Sequence, residues 1–170
     1  SALLDPGDEV VIPAPYWTSY PEMVKAVGGE PVIIETKREN GWKMTAEEFG
    51  DAMSAKTKMV IVNSPNNPTG AVYSKEELAA IAEEAAAEDI LILSDEIYEK
   101  LIYNEREHVS IASLSDEVKN LTITVNGFSK AYSMTGWRLG YLAAPEPIAK
   151  AVSTIQSHST SNPTSFAQYG

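Results

Sequence analysis

Cysteine is absent from the sequence of 170 residues, which excludes disulfide bonds and metal sites built on thiolate ligands. A chain without cysteine is compatible with a reducing compartment, and we expect a cytoplasmic location. Long apolar runs are missing as well, since no stretch reaches the roughly 18 residues of a membrane-spanning helix. The first residues lack a basic stretch followed by an apolar one, so no signal peptide is predicted.

Basic residues and histidines are also scarce. The chain has 13 Lys and Arg against 24 Asp and Glu, a net charge of -11. Such a surface repels phosphate backbones, so we expect no nucleic-acid partner, although a local cationic pocket could still bind a small anion. The two histidines, His108 and His158, lack metal-ligand spacing, and we interpret both as structural, with no metal site. No Gly-x-Gly-x-x-Gly nucleotide fingerprint occurs.

Short runs rich in β-branched residues predict the strands. Most are apolar without clean alternation, which is typical of strands covered on both faces. They lie at 9–13, 30–36, 57–64, 89–96, 121–127 and 138–144. Helical patterns separate most of them, which predicts an α/β fold with a mainly parallel central sheet and helices on both faces.

Four segments carry the helical pattern. They lie at 17–28, 45–54, 74–89 and 145–157. The third is the clearest, because Ser74 and Glu77 have the spacing of a capping box before an apolar stripe. Thr45 offers a cap to the second. Residues 2–4 resemble the tail of a helix and 164–170 the start of another, so we expect a fragment of a longer protein.

Polar groups follow four of the predicted strands. In parallel α/β sheets the carboxyl ends of the strands meet at one edge, where ligands bind. The groups are Tyr16 and Trp17 after the first strand, Asn63, Asn66 and Asn67 after the third, Asp95 and Tyr98 after the fourth, and Ser129 and Lys130 after the fifth. Their convergence predicts a ligand site at that edge.

The segment NGFSKAYSMTGWRLGY, residues 126–141, sets two isolated cations among small and aromatic residues. A lysine amine attacks carbonyl compounds when desolvation or nearby cations favour its neutral form, so Lys130 is a candidate for Schiff-base chemistry. Arg138 suits a bidentate phosphate contact. The alternative is that Lys130 is simply solvated on a loop.

Asp95 ends an apolar strand, and a carboxylate there needs a partner, such as a cationic ring nitrogen of a cofactor. Alternatively, Asp95 caps the segment EIYEKLIY that follows. Tyr98 comes three residues later, so a helical turn would bring both side chains to one face, unless Tyr98 packs at the edge of the core. Trp17 could stack on a flat ring or belong to the core. The stretch SPNNPTG, residues 64–70, is a turn by composition, with or without a ligand.

The motifs PAPYW, NSPNNPTG, SDEIY and NGFSKAYSMTGWRLGY, in this order and spacing, resemble the pyridoxal-phosphate (PLP) aminotransferases of fold type I, class I/II. The likeness is greatest to bacterial-type aspartate aminotransferases. It covers essentially all 170 residues, which correspond to less than half of a full chain of the family.

This resemblance assigns catalytic and cofactor-binding roles. It implies that Lys130 forms a Schiff base with PLP and then moves a proton to and from the substrate Cα. Asp95 would pair with the pyridinium nitrogen, which keeps the ring an electron sink. Tyr98 and Asn67 would form hydrogen bonds with the phenolic oxygen of the ring, and Asn67 would also lie near the substrate.

The resemblance also assigns the ring and phosphate contacts. Trp17 would stack on the ring and line the substrate pocket, with Tyr16 nearby, and Arg138 would clamp the phosphate. Many relatives carry a phosphate-binding serine three residues before the lysine. Gly127 stands there in this chain, and Ser129 could substitute for it.

By resemblance, residues 1–170 form the central part of the PLP-binding large domain, with an N-terminal segment and a C-terminal small domain absent. Pro15 and Pro68 resemble positions of cis-prolines. The implied activity is transamination of aspartate with 2-oxoglutarate by a homodimer, with this chain inactive alone. The alternatives are an aromatic or alanine aminotransferase or a β-lyase on the same fold, and a non-catalytic PLP-binding regulator.

Overall fold

The computed structural model describes residues 1–169, which build a six-stranded sheet. The strands are β1 Glu9–Ala14, β2 Glu30–Glu35, β3 Thr57–Asn63, β4 Leu91–Asp95, β5 Thr122–Gly127 and β6 Gly140–Ala143. Their order across the sheet is β2-β1-β3-β4-β5-β6. Neighbours from β2 to β5 pair in parallel, and β6 pairs antiparallel to β5. The predicted α/β fold with a mainly parallel sheet is therefore confirmed.

Six α-helices accompany the sheet in the described part of the chain. They are α1 Ser19–Ala26, α2 Ala46–Ala52, α3 Lys75–Ala87, α4 Asp116–Leu121, α5 Glu146–Ser159 and α6 Ser165–Gln168. The capping boxes predicted at Thr45 and Ser74 are both formed, with Glu48 and Glu77 as the third helical residues. Each cap satisfies backbone N–H groups that the first helical turn leaves without partners.

Apolar side chains cover the two faces of the sheet with separate clusters. On one face, Phe49 of α2 and Ile81 of α3 pack with Ile92 of β4. On the other face, Tyr20 of α1 packs with Ile61 of β3. Each large apolar side chain that is fully buried contributes about 1.5–3 kcal/mol to the free energy of folding. The clusters hold the central strands from both sides, and so fix the positions of their carboxyl ends.

The structure departs from the sequence predictions in several places. Residues 2–4 are not helical, and α4 was not predicted. The edge strands β2 and β6 are largely exposed rather than covered on both faces. The predicted start of a helix near 164 is confirmed as α6, and residue 170 of that segment lies outside the described residues. Among residues 1–169, no helix is both long enough and apolar enough to cross a membrane.

Candidate active site

A cavity of about 460 Å³ opens at the carboxyl ends of β1, β3, β4 and β5. The chain runs outward from β1 to β2 on one side and from β3 to β5 on the other, so this is the point where the strand order reverses. Ligands bind at such switch points in open α/β sheets. Seven of the predicted site residues line this cavity: Trp17, Asn67, Asp95, Tyr98, Ser129, Lys130 and Arg138. The structure thus brings together side chains that stand far apart in the sequence.

The half-buried Asp95 carboxylate is held by two donors. Its Oδ1 accepts the backbone N–H of Ile97 at 3.1 Å, and its Oδ2 accepts the hydroxyl of Tyr20 at 2.6 Å. Asp95 therefore caps the start of the segment EIYEKLIY, as the alternative held, but residues 97–100 of that segment form a turn and not a helix. The same carboxylate closes an Asx turn and also lines the cavity, so capping and a role at the cavity occur together.

Tyr20 was missed by the sequence reasoning. Its side chain is 3% exposed, and its ring meets that of Trp17 edge to face, with centroids 5.5 Å apart. Burial and the neighbouring Asp95 carboxylate raise the pKa of Tyr20 well above its ordinary value. A buried tyrosine hydroxyl needs a partner, and Asp95 supplies it here, a contact that no local pattern in the sequence marks.

The loop after β3 is tied to the end of β4 through Asn63. The buried Asn63 side chain donates from Nδ2 to the backbone carbonyl of Asp95 at 3.0 Å. Its Oδ1 accepts the backbone N–H of Asn67 at 2.8 Å, which anchors Asn67 at the cavity. Asn66, by contrast, serves the loop itself, because its Oδ1 accepts from the hydroxyl of Thr69 at 2.9 Å. The asparagines of this motif therefore have distinct structural tasks.

The peptide bonds before three prolines are cis. Two of these prolines, Pro15 and Pro68, are the ones that the family resemblance indicated, and the third is Pro65. Tyr16 is not among the residues that line the cavity, and it packs against the apolar cluster that contains Tyr20. The expectation that Tyr16 lines the pocket therefore does not match its position.

Lys130 and Arg138 supply the positive charge of the cavity. The Lys130 Nζ lies 5.8 Å from the centre of the Tyr98 ring, and its side chain is exposed rather than desolvated. Arg138 adopts a left-handed backbone conformation with φ 54°, and its Nη1 donates to the carbonyl of Thr135 at 2.8 Å. In a chain of net charge -11, two cations at one cavity make it locally attractive to an anion.

Gly127 stands where the resemblance predicts a phosphate-binding serine, and the structure gives a local reason for glycine. It pairs directly with Gly140 across β5 and β6. A Cβ at position 127 would lie 3.0 Å from the carbonyl oxygen of Leu139 and 3.2 Å from the Cα of Gly140. This close approach of two backbones leaves little room for a side chain.

These features agree with the comparison of the chain with known proteins. The chain matches aminotransferase class I and II over residues 1–170, and it belongs to that family. It is 56% identical over 168 residues to the aspartate aminotransferase of Bacillus subtilis (strain 168), a match covering 99% of this chain and 43% of that protein.

Solved structures with the same fold include two aminotransferases of different named specificity. The aspartate aminotransferase from Rhizobium meliloti superposes with a TM-score of 0.95 at 44% identity, over 98% of this chain and 42% of that one. The aromatic aminotransferase from Pyrococcus horikoshii OT3 gives a TM-score of 0.95 at 43% identity, over 99% of this chain and 45% of that one. The chain therefore spans less than half the length of these relatives.

Proposed function

We propose that the intact protein containing this chain is a PLP-dependent aminotransferase that acts on aspartate and 2-oxoglutarate. The observation that carries this proposal is the convergence of one carboxylate, one lysine and one arginine at a single cavity with aromatic walls. Membership of the aminotransferase family supports it, and so does the likeness to proteins named aspartate aminotransferase. Residues 1–170 would then form the central part of the cofactor-binding domain.

The donor set of the cavity fits the cofactor. When bound, PLP supplies an aldehyde that links amino groups and a ring that takes up electrons from the substrate Cα. Asp95 presents a carboxylate, already oriented by Tyr20 and Ile97, that suits a protonated ring nitrogen. The rings of Trp17 and Tyr98 give the cavity flat apolar walls suited to an aromatic ligand.

Lys130 is the nucleophile and the proton carrier in this proposal. Its Nζ would bind the aldehyde of the cofactor, and the same amine would hold or move a proton at the substrate Cα. The exposure of its side chain leaves Nζ free to make both contacts within the cavity. Tyr98 lies beside the Lys130 amine. Together with Asn67, it would form hydrogen bonds with the phenolic oxygen of the cofactor ring.

Arg138 and Ser129 would bind the phosphate. A guanidinium offers paired donors to phosphate oxygens, and Ser129 adds a hydroxyl at the same cavity. Gly127 contributes no side chain, so Ser129 takes the place of the missing serine. Trp17 and Asn67 would also contact the substrate. We expect a cytoplasmic homodimer without nucleic-acid or membrane partners.

Loss of Lys130 provides the direct test. The intact enzyme is expected to hold PLP with a visible absorbance band, and Lys130→Ala is expected to abolish that band. Lys56→Ala is the matched control, because Lys56 is exposed next to the amino end of β3, at the opposite edge of the sheet from the cavity. An unchanged band in Lys130→Ala would refute the proposal.

Substrate choice is the second question. The equally good superposition on an aromatic aminotransferase favours one alternative, an enzyme for aromatic amino acids. Steady-state rates of the intact enzyme with aspartate, phenylalanine, tyrosine and alanine decide between them. The aspartate proposal requires the highest kcat/KM for aspartate, and a higher value for an aromatic amino acid would contradict it.

A further inference from the structure

We propose that Tyr20 is a positioning residue that holds the Asp95 carboxylate in the orientation needed to pair with the ring nitrogen of PLP. This inference rests on the proposed function, because it assigns Tyr20 a task in the same site. Tyr20 comes from α1 and Asp95 from the end of β4, 75 residues later in the chain. The contact therefore joins two elements that belong to different parts of the sequence.

The geometry restricts the carboxylate at both oxygens. The Tyr20 hydroxyl lies 2.6 Å from Oδ2, a short distance typical of a hydrogen bond to an ionised acceptor. The backbone N–H of Ile97 donates a hydrogen bond to Oδ1 at 3.1 Å. With one donor on each oxygen, rotation of the carboxylate about its last bond breaks both hydrogen bonds. Asp95 is thus held in one orientation before any ligand arrives.

Tyr20 remains a donor under all ordinary conditions. Burial is the main cause that raises its pKa, and the Asp95 carboxylate adds to the effect through its charge and the hydrogen bond. The hydroxyl therefore keeps its proton, which it shares with Asp95. The ring is held in turn by its edge-to-face contact with Trp17 and by the apolar cluster with Val24.

An oriented Asp95 carboxylate should make the site selective for the atom at the ring-nitrogen position of the cofactor. A carboxylate fixed in direction favours a ring with a protonated nitrogen over a ring with C–H at that position. A carboxylate that rotates freely loses part of this preference. A purely structural loss at Tyr20 would instead weaken the binding of both rings by the same factor.

The experiment compares two ligands on the intact, cofactor-free enzyme. The probes are PLP and its carbocyclic analogue, in which C–H replaces the ring nitrogen, each titrated by absorbance to give Kd. The preference for PLP is measured by the Kd of the carbocyclic analogue divided by the Kd of PLP. We expect Tyr20→Phe to lower this ratio by about tenfold, the factor that corresponds to losing a hydrogen bond to a charged group. Tyr73→Phe is the matched control, since Tyr73 is equally buried but its oxygen accepts from the backbone N–H of Met44.

Two further variants separate the hydrogen bond from the fold. Tyr20→p-aminophenylalanine keeps the ring and an N–H donor, and it is expected to retain most of the wild-type ratio. In an Asp95→Asn background, Tyr20→Phe should change the ratio no further, because the group through which it acts is gone. Far-UV circular dichroism checks that each variant is folded.

The outcomes distinguish this inference from the proposed function. A wild-type enzyme that forms no Lys130-dependent band with PLP would overturn the proposed function itself. A wild-type enzyme that binds PLP with a preference that Tyr20→Phe leaves intact would overturn only the positioning role. Equal weakening of both ligands in Tyr20→Phe would do the same, and so would loss of the preference in Tyr20→p-aminophenylalanine.

Discussion

The buried network around Glu96 offers a sharp test of how the end of β4 is held. Glu96 is 3% exposed, and its Oε1 accepts the hydroxyls of Ser94 at 2.9 Å and Ser110 at 2.8 Å. Its Oε2 lies 3.0 Å from Nε2 of His108. The network ties residues 108–110 back to the strand that carries Asp95. The perturbation is Glu96→Ala.

Its magnitude follows from the groups left behind. Alanine removes the acceptor of two hydroxyls and of the His108 ring at a largely buried site. Each buried donor that loses its acceptor costs about 1–3 kcal/mol, and Glu96 accepts from three donors. The costs within one network do not add, so we expect a loss of about 3–5 kcal/mol in the free energy of unfolding. Glu96→Gln keeps the volume and one carbonyl oxygen, so its loss should be smaller.

The assay is urea unfolding of the cofactor-free intact protein, followed by circular dichroism. At a slope of about 3 kcal/mol per M, Glu96→Ala should lower the midpoint by roughly 1 to 2 M. Glu83→Ala, on the exposed side of α3, is the control and should change the unfolding free energy by no more than about 0.5 kcal/mol. A Glu96→Ala midpoint equal to that of Glu83→Ala would refute the reasoning, because the network would then add nothing.

Two further predictions concern the pairing of β5 with β6 and the stability at alkaline pH. Gly127→Ala forces a Cβ to 3.0 Å from the Leu139 carbonyl oxygen and should destabilise by about 1–3 kcal/mol, whereas Gly136→Ala, with no atom within 4 Å, should not. Equal unfolding midpoints for the two glycine variants would contradict this. Burial raises the pKa of Tyr73 to about 12, so stability is complete below about pH 10, where the unfolded chain still holds its proton, and falls as the pH rises toward 12. Tyr73→Phe should reduce that slope by up to about 1.4 kcal/mol per pH unit in urea titrations, and an unchanged slope would count against it.

Sequence patterns predicted most of the fold because secondary structure depends on local features. All six strands and the four predicted helices exist, within a few residues at their ends. The capping boxes at Thr45 and Ser74 required only neighbours three positions apart. The helix tail predicted at residues 2–4 is wrong, because apolar residues alone do not distinguish a helix from an irregular segment packed on the core.

The candidate site was partly predictable for a similar reason. Lys130, Asp95 and Asn67 each follow a strand, and the rule that parallel strands end at one edge was enough to bring them together. The sequence could not show whether Asp95 caps the segment that follows it or faces a ligand. The structure shows that it caps a turn at 97–100 and also lines the cavity.

The sequence by itself determined the element types, the helix caps, the family resemblance and the identity of the charged groups at the strand ends. Only the tertiary structure decided the strand order, the antiparallel pairing of β6 and the hydrogen bond from Tyr20 to Asp95. Periodicity and capping act between residues a few positions apart, so they can be read along the chain. A bond between residues 75 positions apart depends on how α1 and β4 pack across the sheet, and that arrangement is set by the whole core.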